Sequence, residues 1–130
     1  MDILMEIFNE EEINEITSAN EEVINLDNKD IENIINILKD NGCSSDIIRN
    51  IILSNPFVLS RYDKDVIRLI NKLKNIGINN ISLVFDSYPN ILNKDSYEIN
   101  DFINIKLEEG LQLDEIADII DSYPYMIDEV

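Results

Sequence analysis

Apolar residues recur along this chain at helical spacing, in blocks that bend at prolines and stop at glycines. Val66, Leu69, Ile70 and Leu73 stand at i, i+3, i+4 and i+7, which places them on one face of a helix. Upstream, Ile47, Ile48, Ile51 and Ile52 form a second stripe. Ser44 or Ser45 can cap that helix, and Asp46 favours its positive end. Between the two stripes, Pro56 pushes Asn55 out of the α region and stops the first helix. Val58 and Leu59 follow as a tight turn that tucks inward. Asp63 is a candidate cap for the second helix, and Gly77 ends it in the left-handed conformation that glycine tolerates. The unit reads as short helix, proline turn, longer helix, glycine stop.

The plan returns downstream. Asn79 or Asn80 caps a stripe of Ile81, Val84 and Phe85, and Pro89 breaks it, with Ile91 and Leu92 in the turn. Asp95 or Ser96 then opens a helix whose apolar residues Ile99, Phe102, Ile103 and Leu107 lead to Gly110. A last stripe, Leu113, Ile116, Ile119 and Ile120, reaches Pro124, followed by Met126 and Ile127. The stretch Asp86-Ser87-Tyr88-Pro89 recurs as Asp121-Ser122-Tyr123-Pro124, and proline to next glycine is 21 residues both from Pro56 to Gly77 and from Pro89 to Gly110. A fourth copy lies upstream without its proline. A shift of 35 residues puts Ile51 on Ile16, Asn55 on Asn20, Val58 and Leu59 on Val23 and Ile24, and Glu21 in the place of Pro56.

Internal repetition at this period signals stacked helical units. The expected fold is all-α: a short helical-repeat, α-solenoid-like array of about four units with proline turns and about eight helices. One domain over 1–130 is expected, with a capping helix at 1–10 and repeats near 11–42, 43–77, 78–110 and 111–130. The glycines Gly42, Gly77 and Gly110, the prolines Pro56, Pro89 and Pro124, and the apolar pair after each proline resemble the repeats of the mitochondrial transcription termination factor (mTERF) family. The resemblance runs from about Glu11 to Val130. It implies stacked repeats curved into a half-ring that holds duplex nucleic acid on a basic concave face.

Charge changes the functional picture. Net charge is −17 over 130 residues, a field that repels phosphate and favours basic protein surfaces or cations. Residues 1–46 carry 13 acids and 2 bases, residues 47–94 carry 3 and 7, and residues 95–130 carry 11 and 1. A basic middle therefore sits between acidic ends. Within it Lys64, Arg68 and Lys72 share one helix face. The matching positions, Lys29, Asn33 and Ile37, then Tyr97, Asp101 and Ile105, do not repeat the stripe.

Candidate chemistry is sparse. With no histidine, His-based triads and His–metal ligation are excluded. Cys43 is the single cysteine, so no intrachain disulfide can form. Asp27, Asn28, Lys29 and Asp30 with Glu32 superficially resemble a calcium loop but lack its glycine. Glu10-Glu11-Glu12, Glu21-Glu22 and Glu108-Glu109 fall at helix starts, turns and ends, where solvated charges belong. Tyr88 and Tyr123 suit packing with their hydroxyls reaching a neighbour. No catalytic, cofactor or metal site is expected, and no apolar run approaches a membrane span. The start lacks the basic flank of a signal peptide, so an intracellular setting is expected.

Two functions remain. The favoured one is a small acidic, non-enzymatic adaptor or inhibitor that meets a basic protein, in the manner of a nucleic-acid mimic or a phage anti-defence protein. Its expected contacts are Glu108 and Glu109, with an apolar face at Ile119, Ile120 and Met126 that a partner or a second copy would cover. The alternative is an mTERF-like nucleic-acid binder using Lys64, Arg68 and Lys72.

Overall fold

The computed structural model describes residues 2–129, and among them there is no strand. Eight α-helices occur among the described residues: α1 Asp2–Ile7, α2 Glu10–Ala19, α3 Asn28–Asp40, α4 Ser45–Ser54, α5 Asp63–Asn75, α6 Ile81–Ser87, α7 Ser96–Glu108 and α8 Leu113–Ser122. Four 3-10 turns alternate with them: corner 1 at Glu21–Asn25, corner 2 at Pro56–Ser60, corner 3 at Pro89–Asn93 and corner 4 at Pro124–Glu129. Each corner follows a short helix, as the proline spacing predicts.

The four corners share one backbone construction. The residue before each, Asn20, Asn55, Tyr88 and Tyr123, has φ of −139°, −141°, −142° and −139°. These are extended values that a following proline demands. In each case that residue's N–H donates to the carbonyl four residues back, at 2.7–2.9 Å. Corner 1 reaches the same geometry with Glu21 where the others have proline. There the buried Asn20 side chain ties the turn to corner 2: its amide donates to the Pro56 carbonyl (3.1 Å) and to Ser60 Oγ (2.9 Å), and its oxygen accepts from Glu22 N–H (3.3 Å).

Each long helix ends at a glycine with positive φ: 88° at Gly42, 99° at Gly77 and 98° at Gly110. At the first, Gly42 N–H donates to Lys39 and Cys43 N–H to Leu38, the paired bonds of a Schellman stop.

Contact density divides the chain into two compact units, 1–63 and 64–130. In the first, α1 packs on α2 and α3, α4 on α2 and α3, and corner 2 on corner 1, α2, α3 and α4. Leu4, Ile16, Val23, Ile31, Ile51 and Val58 fill its core. In the second, α8 packs on α6, α7 and corner 4, and corner 3 packs on α6. Leu69, Phe85, Ile91, Leu92, Ile99 and Ile116 are fully buried there.

Some apolar residues do not follow the expected stripes. Ile24, aligned with the buried Leu59, is 61% exposed; only Val23 keeps the inward place of the pair. Met126 is half-buried, whereas its neighbour Ile127 is buried. Leu107 is exposed because the repeat register gives it the place that Lys74 holds in α5, an outward position. The slot of Leu73 is filled in α7 by Lys106, whose stem is largely covered and whose ammonium lies 5.6 Å from the Phe102 ring centroid. Leu113 is exposed too, since it occupies the first-turn position that Ser45 holds in α4.

Candidate functional site

The basic stripe lies on α5, whose inward face is fixed by buried Val66, Leu69, Ile70 and Leu73. That burial turns Lys64 and Arg68 outward, both exposed, and leaves Lys72 half-buried. Arg68 Nη1 donates to Asp65 Oδ1 at 2.9 Å, one turn away on the same helix. Asp101 holds the matching place on α7 and is exposed. The acid that meets Arg68 is its own helix neighbour, because i,i+3 side chains are already adjacent.

Beside this pair is an open cleft of about 250 Å³ lined by Asp65, Arg68, Asp95, Ser96 and Tyr97. Asp95 caps α7 by accepting from Glu98 N–H at 2.9 Å. A phosphate entering here would meet Arg68 together with two carboxylates. On α7 the equivalent outward positions, Tyr97, Asp101 and Ile105, are exposed and carry no base.

Glu108 and Glu109 are exposed at the end of α7, as their solvated placement suggested. Glu109 Oε2 accepts from Lys106 Nζ at 3.2 Å, so Glu108 is the freer charge of the two. Asp114, Glu115 and Asp118 are exposed on the adjoining α8. The apolar candidates fare differently. Ile120 is fully buried within its own unit and offers nothing to a partner, a correction that follows from its position on the inward face of α8. Ile119 and Met126 are each half-buried.

Corner 4 is held by Asp128, which accepts from the Tyr88 hydroxyl and pairs with Lys94. Lys94 also reaches Glu98 at 3.3 Å. Tyr88 thus uses its hydroxyl as expected, whereas Tyr123 is exposed and meets Tyr125 edge-on, with ring centroids 6.2 Å apart.

A second charged construction lies in the first unit, and it was not singled out from the sequence. Arg49 on α4 donates to the Ile7 carbonyl at 2.5 Å and to Glu12 Oε2 at 2.6 Å, with its guanidinium 5.1 Å from the Phe8 ring centroid. Glu12 simultaneously accepts from Asn9 N–H at 3.0 Å, while Asn9 caps α2 by accepting from Glu12 N–H at 2.8 Å. The backbone N–H of Asn9 holds the Glu12 carboxyl below its usual range, and Arg49 pushes it the same way. Its place at a helix start put Glu12 among the solvated charges, and it is instead largely covered and paired. The signal passed over is an asparagine with glutamate three residues on, the mark of a capping box. Arg49 gave no such local signal, since it is 37 residues from Glu12.

Among the described residues no three His, Cys, Asp or Glu side chains are grouped to hold a metal ion, and no helix is long and apolar enough to cross a membrane. Asp27 precedes α3 and Asp30 lies in its first turn.

A model of the mTERF family matches residues 8–128. The chain belongs to the mTERF family. No curated protein and no solved structure matches it. The matched stretch takes in the three glycine stops and the three proline corners described above.

Proposed function

We propose that this mTERF chain is a non-enzymatic binding module that docks its acidic surface on a basic protein, as an adaptor or inhibitor. The disposition of charge carries this reading. Arg49, Arg68, Lys94 and Lys106 each meet a nearby carboxylate, whereas Glu108, Asp114, Glu115 and Asp118 stand in solvent. The imbalance holds in each unit separately: residues 1–63 carry 14 acids and 4 bases, and residues 64–130 carry 13 and 6. Such a surface steers a basic partner toward it, and the effect weakens as salt screens it.

The test is capture of basic proteins on the immobilised chain at low and high salt, followed by charge reversal. Glu108→Lys with Asp118→Lys is expected to slow association with the captured protein by about tenfold, with the melting temperature nearly unchanged. Capture that ignores both salt and reversal would remove the electrostatic basis of the proposal.

Family membership and the exposure of Lys64 and Arg68 favour a second reading, contact of α5 with phosphate in a nucleic acid. Asp65 on Arg68, and Asp95 in the same cleft, weigh against it.

A further inference from the structure

The corner between α1 and α2 forms an open groove of about 550 Å³ lined by Met5, Phe8, Asn9, Glu10, Ile13 and Asn14. Its floor is apolar. Phe8 is buried, Ile13 is half-buried, and Met5 projects with 62% of its surface exposed. A flexible thioether standing in solvent beside an aromatic floor is a surface that adapts to apolar side chains. One acid, Glu10, lines the groove; Asp2, Glu6 and Glu11 are exposed elsewhere on the same two helices. No lysine or arginine lines it.

The groove is also preformed. Arg49 lies against Phe8 and bonds both sides of the corner, the Ile7 carbonyl that closes α1 and the Glu12 carboxylate in the first turn of α2. A corner fixed in this way leaves little ordering to be done on binding.

We infer that this groove is a docking site for a basic amphipathic segment of a partner protein, with an apolar side chain seated against Met5 and Ile13 over the edge of Phe8 and a flanking Lys or Arg side chain meeting Glu10. The inference rests on the proposed function above and adds the place and the chemistry of the contact. Charge selects this occupant over a second copy of the chain, because two chains of net charge −17 each repel one another. The lining also selects a mixed apolar and basic segment over a purely basic one, since Met5 and Ile13 offer apolar contact and Glu10 the charge.

The probe is a helical peptide of leucine and lysine, about four turns long with one tryptophan, titrated into the chain while its Met methyl and backbone resonances are followed. Saturable shifts centred on Met5, Phe8 and Ile13 are expected, with a blue shift of the tryptophan. Met5→Ser and Glu10→Lys, both at exposed positions and each checked for folding by thermal unfolding, should each weaken binding by about tenfold. A peptide with serine in place of leucine should lose the shifts at the groove. Equal binding of the serine peptide, or shifts spread evenly over the acidic surface, overturns the inference. Shifts confined to α7 and α8 overturn the groove while leaving the basic-partner proposal standing. Absence of any peptide binding at low salt removes both. Concentration-dependent self-association abolished by Met5→Ser would assign the groove to a second copy and refute the inference.

Discussion

Glu12 shows how much one side chain can connect. Its carboxylate closes a capping box with Asn9, receives Arg49 from another helix, and has its proton affinity lowered by both. A depressed carboxyl contributes stability that is fully present above its ordinary value near 4.5 and is lost as pH falls through the lower folded value. Glu12→Gln keeps an acceptor for the Asn9 N–H and removes the charge. The variant should therefore melt below the wild type at neutral pH, and the gap should narrow steadily as the pH is taken below that ordinary value. Thermal unfolding across that range checks it, and a gap independent of pH would show that the charge contributes nothing. Arg49→Met tests the other partner: it should lower the melting temperature and broaden the Phe8 and Met5 resonances, because the corner loses its tie to α4.

At the scale of elements, the corners and stops invite direct substitution. Asn20 already has the extended backbone of a pre-proline residue, and Glu21 opens a 3-10 turn where φ near −60° is normal. Glu21→Pro should consequently be accepted and stabilise by about 0.4–1 kcal/mol, chiefly by restricting the unfolded chain. Urea unfolding measures it; a clear loss of stability would mean that corner 1 is built differently from corners 2 to 4. Gly110 offers the opposite case. Its φ is 98°, and a Cβ there would meet nothing within 4 Å. Gly110→Ala should thus cost about 1–2 kcal/mol from backbone strain alone. In the core, Ile70→Ala on the inward face of α5 should cost about 2–5 kcal/mol, since Ile70 is buried and its removal leaves a cavity.

At the scale of the whole molecule, charge governs what can approach. Both units are acidic, and exposed Arg68 of α5 sits beside Asp65 and Asp95. Duplex DNA, with its dense phosphate charge, should show no measurable binding near physiological salt. A gel shift checks this. Micromolar affinity that disappears when Lys64, Arg68 and Lys72 are changed to alanine would instead promote the nucleic-acid reading of this mTERF chain.

The helices, their stops and their corners were legible because each depends on a local constraint. A glycine must take positive φ, a proline must turn the chain, and a four-residue apolar rhythm must bury one face. Membership in the mTERF family followed from the same punctuation. Residue-scale detail was not legible where it depended on register between repeats. Leu107 and Leu113 look like core residues by letter but stand at outward places, and Lys106 fills an inward slot by covering its stem against Phe102. Nor could the chain alone pair Arg49 with Glu12 or Asn20 with Pro56, because those bonds join residues 36 and 37 positions apart. Local sequence sets the conformation of each turn; only packing brings its polar groups to partners that distant.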